Sequence, residues 1–497
     1  MGDNDGFDDR TRAFLGWFLA LPGATFRSDL ISIEDLRGRN AGRGIVAKND
    51  IAADTVLFTI PRDAIICTAT SSLREKIPGI FDLDADGDIE SNTENGESSG
   101  SSQDSWTLLI LVMIYEHLRG GGSRWKPYLD VLPSAFDTPM FWSNVEVSEL
   151  QASALATKIG KEEADRMITT KIIPVIRAHE DVFFPSGSHK LDDEQLLGLA
   201  HHMGSAIMAY AFDLEDDENN DATGDEDGDG WVEDKEGRTM LGMVPMADML
   251  NADAEFNAHI NHGEEALTAT ALRDIKAGEE ILNYYGPLPN SELLRRYGYV
   301  TPKHSRYDVV ELPWDLVEME LKTRLISEIS PSAWEKARQR VRSDDDFEES
   351  FVLERVGEEP DPTGQLHGDA VFSSLPDELG AQFKSLVKAA KKFGNSRLAE
   401  ELLEDKDRRK ELYLDVVLGA FRAREQQYAT SLEEDEKILG GNLSRAQEMA
   451  VVVRMGEKKL LREAQAWIQH QLSSAKHASS SVSDEPEDKR SVKRRRL

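Results

Sequence analysis

The sequence predicts an α+β protein: a β-rich first domain interrupted by a helical insertion, followed by an all-α C-terminal domain. Three observations predict it. Short β-branched runs separated by turn residues occupy 43–67, and similar runs return at 266–284. Between them, apolar residues recur at helical spacing from about 106 to 212. From Leu379 to Leu472 they recur every three or four positions with no strand pattern, the mark of several antiparallel helices.

Taken in order, residues 1–9 read as an acidic tail. Phe14, Trp17, Phe18 and Leu21 share one helical face over 10–21. Gly44–Lys48, Thr55–Ile60 and Ala64–Cys67 are expected to be strands of a small antiparallel sheet. Residues 82–105 are rich in Ser, Gly and acids and read as a disordered loop. A helix is expected over Trp106–Arg119, stopped by Gly120–Gly122, with others over Glu149–Lys158, Glu162–His179 and Asp193–Phe212. A second acidic loop spans 213–238, and strands return at Ala266–Ala271 and Glu280–Tyr284. The first domain thus covers 10–311, with its insertion at about 106–212. The helical domain covers 312–475, and 476–497 form a disordered basic tail. Two capping boxes, Ser431 with Glu434 and Ser444 with Gln447, mark helix starts, because each side chain satisfies an otherwise unpaired N–H.

The formal charge is −34, from 58 basic and 92 acidic residues. Much of the excess lies in three tracts: 82–104 with 8 acids and no base, 213–238 with 13 acids and 2 bases, and 343–361 with 9 acids and 1 base. Direct nucleic-acid binding is disfavoured, because phosphate contact needs basic patches, and a basic protein partner is favoured. One cysteine, Cys67, permits neither an intrachain disulfide nor a Cys-rich zinc cluster, which fits an intracellular protein without a structural metal. The N-terminal MGDNDGFDD has no signal-peptide character, and the longest apolar run, Leu108–Tyr115, is far short of the roughly 20 residues that span a bilayer. The basic cluster Lys493–Arg496 reads as a nuclear localisation signal, with the cytoplasm as a second location.

Several motifs compete for meaning. Gly42–Ala47 fits the dinucleotide fingerprint G-x-G-x-x-A, but a turn and a strand follow it where that motif requires a helix. Glycines here instead suit a tight segment that lets backbone approach a ligand, or an ordinary hairpin turn. Asp225–Glu236 matches an EF-hand loop at each required position, yet lacks a helix-forming upstream flank. A solvated acidic loop is the stronger reading and calcium binding the alternative. His201–His202 has no clustered partner ligands and reads as packed histidine. Asp248 and Asn251, in MVPMADMLNAD, would alone be turn residues. Tyr284, Tyr285, Tyr297 and Tyr299 would alone be strand or core aromatics.

Their joint order says more. GRGIVA (Gly42–Ala47), W-x-P-Y-L-x-x-L-P (Trp125–Pro133), Thr138-Pro139 with Trp142, AIMAYAF (Ala206–Phe212), PMADMLNAD, KAGEEILNYYG (Lys276–Gly286) and LLRRYGYV (Leu293–Val300) fall in one sequence. The chain resembles the SET-domain lysine methyltransferases of the Rubisco large-subunit methyltransferase class over roughly 10–475. The resemblance implies a SET domain, S-adenosyl-L-methionine as cofactor, no metal, and a C-terminal substrate-binding domain. Its ribosomal branch implies a lysine of a large-subunit (60S) ribosomal protein as target, with the enzyme a monomer. Backbone at Ala41, Gly42 and Arg43 would contact the cofactor. Asn251 and Ala252 would hold it largely through main-chain groups. Tyr285 would be catalytic and also line the cofactor side. Tyr210, Asp248 and Tyr297 would face the substrate lysine. Many SET domains have Asn-His where this chain has Asn251-Ala252, so no histidine side chain acts there. Tyr210 sits where some relatives have arginine. A non-catalytic SET-like scaffold for basic partners is the alternative.

Overall fold

The computed structural model describes residues 6–39, 41–81, 102–185, 189–214, 240–325, 327–394 and 396–482. Its strands are β1 (Thr25–Phe26), β2 (Ile31–Asp35), β3 (Arg43–Ala47), β4 (Val56–Pro61), β5 (Ala211–Leu214), β6 (Met240–Met243), β7 (Asn251–Ala252), β8 (Ala258–His262), β9 (Ala266–Ala271), β10 (Glu280–Asn283), β11 (Val310–Pro313) and β12 (Ser350–Leu353). One sheet runs β1-β4-β9-β8, a second β2-β3-β10-β7, and two pairs join β5 to β6 and β11 to β12. Along β9 burial alternates residue by residue, so one face packs inward and the other meets polar surroundings.

The helix Ser102–Leu118 has no polar stripe over its middle: every residue from Leu109 to Tyr115 is buried. A helix apolar all round belongs inside, and this one carries the first core, against the Asp193–Tyr210 helix and β6. A second core joins the C-terminal helices Trp314–Leu325, Pro331–Arg342, Asp377–Gly394, Lys406–Glu425 and Arg445–Val482. A small third cluster lies on the seam between them, where Trp142, Leu150 and Leu294 meet Met449 and Val453. The expected capping boxes are present: Ser431 and Glu434 exchange both bonds, as do Ser444 and Gln447.

Several expectations need correction. Ala64–Cys67 is not a strand. Arg62–Ala64 form a 3-10 turn, and only Ile66 bridges, to Met243. The Thr70 hydroxyl takes over the backbone there, donating to the Ile65 carbonyl at 2.7 Å and accepting the Cys67 N–H at 3.0 Å. Glu149–Lys158 is not one helix. Asn144–Ser148 forms a short helix on a Ser143–Glu146 capping box, and Ala154–Thr157 a 3-10 turn. Gln151, between them, adopts φ 54° and hydrogen-bonds through its side chain to Ala429 and Thr430 of the C-terminal domain. Residues 161–178 are helical as expected, but pass through a π-helical turn at Ile168–Ile172. Pro174 follows it; having no N–H and crowding the turn before it, it favours such widening.

The helix expected to reach Phe212 stops at Tyr210, because Ala211–Leu214 pair with β6. Asp213 and Leu214 therefore belong to a sheet, not to the acidic loop. The C-terminal half is not wholly helical: β11 and β12 pair there, and Val310 and Leu312 pack in the second core, so that domain starts before residue 312. Helix occupies Phe7–Leu19, Ser102–Leu118 and Arg445–Val482, cutting into the expected tails 1–9 and 476–497 and into the loop 82–105. Residues 1–5, 82–101, 215–238 with the EF-hand-like Asp225–Glu236, and 483–497 with the cluster Lys493–Arg496 lie outside the described residues.

Candidate active site

The site begins where two strands of opposite origin meet. β7 pairs in parallel with β10, setting Asn251 opposite Leu282, while β3 flanks β10 on its other side. Asn251 spans this junction: its Nδ2 donates to the Arg43 carbonyl at 3.1 Å and to Glu280 Oε1 at 2.7 Å. Gly44 is required beneath it. A Cβ there would lie 2.4 Å from Leu36 and 2.8 Å from both Asn251 and Glu280. Gly42 has φ 67° and no atom within 4 Å of where a Cβ would stand, so its backbone borders open space. Ala41 is tied to the same turn through its N–H to the Leu36 carbonyl. The Arg43 side chain leaves the turn for the N-terminal helix, donating to Thr11, Val131 and Phe7 and lying over the Phe7 ring. Its contribution to the turn is therefore main-chain.

Before β7, the chain makes a 3-10 turn at Ala247–Met249 that presents Asp248. Met246, fully buried, enters this turn at φ 82°, a left-handed conformation costly for any residue but glycine. Asp248 Oδ2 accepts a hydrogen bond from the Tyr128 hydroxyl at 2.7 Å, while Oδ1 is buried with no hydrogen-bond partner among the described residues. Burial pushes the Asp248 carboxyl up to about 7; the Tyr128 hydroxyl, the backbone at Met246 and Asp248 and the more distant charge of Arg43 pull it down only in part.

Four more tyrosines converge here. Tyr285, just past β10, donates its hydroxyl to the Leu250 carbonyl at 3.1 Å and stacks on Tyr297 with ring centres 4.8 Å apart. Tyr297 ends the Asn290–Tyr297 helix, and Gly298 closes that helix at φ 75°, packed against the backbone of Asp137 and Thr138. The chain then returns Tyr299, whose hydroxyl donates to the Ala252 carbonyl at 3.3 Å. Tyr210 comes from the end of the Asp193–Tyr210 helix and feels the charge of Asp248, as does Tyr285. Burial raises the pKa of Tyr285, Tyr210, Tyr297 and Tyr299, so all four stay neutral phenols. Their side chains nonetheless keep partial exposure, unlike fully buried Tyr128, so they line a space rather than fill a core. The Tyr297 hydroxyl has no partner among the described residues.

Tyr210, Asp248, Tyr285 and Tyr297 thus come together, and Asn251 joins them to the Ala41–Arg43 turn. Tyr128 and Tyr299 complete the ring without having been assigned a role from the sequence. Tyr299 had a usable signal, the Tyr-Gly-Tyr spacing that puts it beside Tyr297. Tyr128 had none beyond its place in the Trp125–Pro133 segment.

The SET domain model matches residues 42–286, and the Rubisco LSMT substrate-binding model matches residues 355–461. The chain therefore carries a SET domain followed by a Rubisco LSMT-type substrate-binding domain. It is similar to ribosomal lysine N-methyltransferase 4 of Saccharomyces cerevisiae, 33% identical over 322 residues, 64% of this chain and 61% of that one. It also resembles human N-lysine methyltransferase SETD6, 27% identical over 448 residues, covering 86% of this chain and 84% of the relative. The match to zebrafish setd6, at 31% identity, covers 53% of this chain and 52% of the relative. The two relatives above 30% identity are therefore matched over little more than half their length. A solved structure described as the SET domain of LSMT bound to lysine and AdoHcy aligns with TM-score 0.60 and 20% identity over 96% of each chain, so the fold is shared.

Proposed function

We propose that this SET-domain protein is an S-adenosyl-L-methionine-dependent protein-lysine N-methyltransferase, and that its target is a lysine of a large-subunit (60S) ribosomal protein. The observation that carries the reading is the convergence of Tyr285, Tyr297, Tyr210 and Asp248 beside the Asn251–Arg43 junction. Open space over Gly42 and the Tyr297 hydroxyl, unpartnered among the described residues, fit a polar ligand lodged between the turn and the tyrosines. The backbone of Ala41–Arg43, with Asn251 and Ala252, would hold the cofactor, which when bound supplies an activated methyl on a sulfonium. Homologues named as lysine methyltransferases, and LSMT neighbours solved with AdoMet or AdoHcy, support the same reading.

The chain's own residues then do three things. A lysine entering as ammonium must lose its proton; at an ordinary pKa of about 10.4, the neutral amine costs roughly 4–5 kcal/mol to populate at pH 7. Aromatic walls disfavour the ammonium and lower that cost. Tyr285, kept neutral and held by its bond to Leu250, would orient the amine nitrogen through its hydroxyl without acting as a base. Asp248, whose charge is felt by Tyr210 and Tyr285 and which is poised near neutrality, can hold a proton at Oδ1. The ribosomal target is supported by the yeast relative's name and by the acidic balance, which suits a lysine-rich partner. The cluster Lys493–Arg496 supports nuclear localisation.

The test is incubation of the purified protein with methyl-labelled S-adenosyl-L-methionine and unmethylated ribosomes, followed by mass spectrometry of the labelled band. Label on one lysine of a 60S protein is the expected result. Cofactor binding with no transfer to any ribosomal protein would return the chain to the scaffold reading.

A further inference from the structure

The other feature that calls for an occupant lies far along the chain from the tyrosines, at the free edge of β12. The pairing Val310↔Leu353 through Pro313↔Ser350, continued by the Trp314 N–H to Glu349 carbonyl bond, fixes which residues face β11. Glu349, Phe351 and Leu353 take that side of the ladder. By the alternation of an antiparallel strand, Ser350, Val352 and Glu354 direct their N–H and C=O groups outward. At one end the outward edge is closed: Val356 and Val371 exchange both backbone hydrogen bonds at 2.9 Å. At the other it is capped by Gln382, which bonds the Glu348 N–H and carbonyl at 2.9 and 3.0 Å. Between these stops the chain at Ser374–Pro376 swings away from β12. It leaves a cleft of about 400 Å³, lined by β12 on one side and Ser374, Leu375 and Pro376 on the other. Pro376 has no N–H, so this wall cannot zip onto β12 along its whole length.

The chemistry of the cleft selects its occupant. Its charged lining residues are Glu348, Glu354 and Glu378, with no basic residue among them. Val352 and Val356 are 47% and 58% exposed, two of the most exposed large apolar side chains described. A short sheet edge left open, with apolar side chains along it and carboxylates around it, suits an extended segment that alternates basic and apolar residues.

We propose that this cleft takes one extended, lysine- or arginine-rich segment of a protein partner as an added strand on β12. The strand addition stands on the sheet edge and the charge alone; identifying the partner as the methylated substrate rests on the proposed function. The segment's backbone pairs with Ser350, Val352 and Glu354, its apolar residues cover Val352, and its cations meet the three glutamates.

The full chain is titrated with a fluorescent peptide alternating lysine with valine, read by anisotropy. Binding is expected, and is expected to weaken with salt. Val352→Pro removes an outward N–H that the fold does not use and should weaken binding about tenfold or more, whereas Val352→Thr, which keeps the N–H, should bind like the parent. The Glu348→Gln, Glu354→Gln, Glu378→Gln triple variant should weaken it comparably. A peptide N-methylated at alternate backbone nitrogens should bind poorly to the unaltered protein, which keeps the test valid if Val352→Pro fails to fold. Equal binding of the N-methylated peptide, or of a peptide alternating glutamate with valine, overturns the proposal. Because the readout is binding, it is independent of methyl transfer. If the partner is the substrate, Val352→Pro also raises KM for the whole protein and leaves kcat unchanged.

Discussion

Two desolvated aspartates, one in each domain, have been given opposite surroundings. Asp435, on the Leu432–Leu439 helix, has no exposed surface, and its side chain meets Arg454 at 2.9 Å, Lys458 at 2.5 Å and the Thr430 hydroxyl at 2.7 Å. Desolvation pushes its pKa up, but these three partners outweigh it and hold the carboxyl below the usual range. Asp248 receives a phenol, backbone N–H groups at Met246 and Asp248 and a remote guanidinium, with no cation in contact among the described residues, and stands near 7. The C-terminal domain therefore uses a buried charge to lock a helix pair. The SET domain keeps one poorly compensated, beside a strained Met246, where the tyrosines meet. Uncompensated burial and strain are costs a fold sheds unless a site needs them.

The largest effect should come from breaking the compensated site. Asp435→Ala leaves Arg454 and Lys458 buried without their carboxylate, and a broken buried pair costs about 3–5 kcal/mol. Urea unfolding should show that loss, with Asp248→Asn unable to match it. A loss under about 1 kcal/mol would mean that water already screens the pair.

Next is Tyr285→Phe. The ring stack on Tyr297 survives, but the hydroxyl that bonds Leu250 is gone. Removing one preorganised polar contact at a reacting centre typically costs about a hundredfold in rate. Methyl transfer should fall by that order with the unfolding midpoint little changed. Near-normal turnover would remove Tyr285 from the site.

The two aspartates should also differ in the sign of their pH dependence. Asp248 has a raised folded pKa. Below about pH 4 both states are protonated and no penalty exists. As pH rises toward 7, the unfolded chain ionises first and stability falls, then levels off. Asp435 has a lowered folded pKa, so its contribution is present above the unfolded value and lost as pH falls through the folded one. Asp248→Asn should thus gain on the order of 2 kcal/mol over the parent at pH 8 relative to pH 5. Paired urea titrations at the two pH values measure this. A constant difference between variant and parent would show that Asp248 does not titrate in that window.

What could be read in advance followed from spacing. The convergence of Tyr285, Tyr297 and Asn251 was legible because, with the glycine segment, they stand in the order of a SET domain. The Asn251 contact to the Arg43 carbonyl then accounts for a glycine-flanked turn 208 positions earlier. Tyr128 was not legible as a site residue. Its bond to Asp248 crosses 120 positions, and a buried tyrosine in Trp-Lys-Pro-Tyr-Leu has the pattern of core. β12 was hidden because Ser350–Leu353 is a short run inside an acidic tract, and its partner β11 is not a neighbour in sequence. Gln151 broke an expected helix for a tertiary reason: its amide is claimed by Ala429 and Thr430, 278 and 279 positions away. Local periodicity carries no record of such partners.

The smallest effect tests how the locked aspartate is presented. Ser431 caps the helix that carries Asp435, accepting the Glu434 N–H at 3.2 Å while Glu434 accepts the Ser431 N–H at 2.7 Å. Thr430, just before the cap, bonds both Asp435 and Lys458. Ser431→Ala removes one half of the box and should cost about 1 kcal/mol, the ordinary price of an N-cap. If the cap also positions Thr430 for the buried cluster, the loss should be non-additive with Asp435→Asn, because both changes act on one network. A double-mutant cycle by urea unfolding reads the coupling. Strict additivity would mean that Arg454 and Lys458 hold Asp435 without help from the helix start.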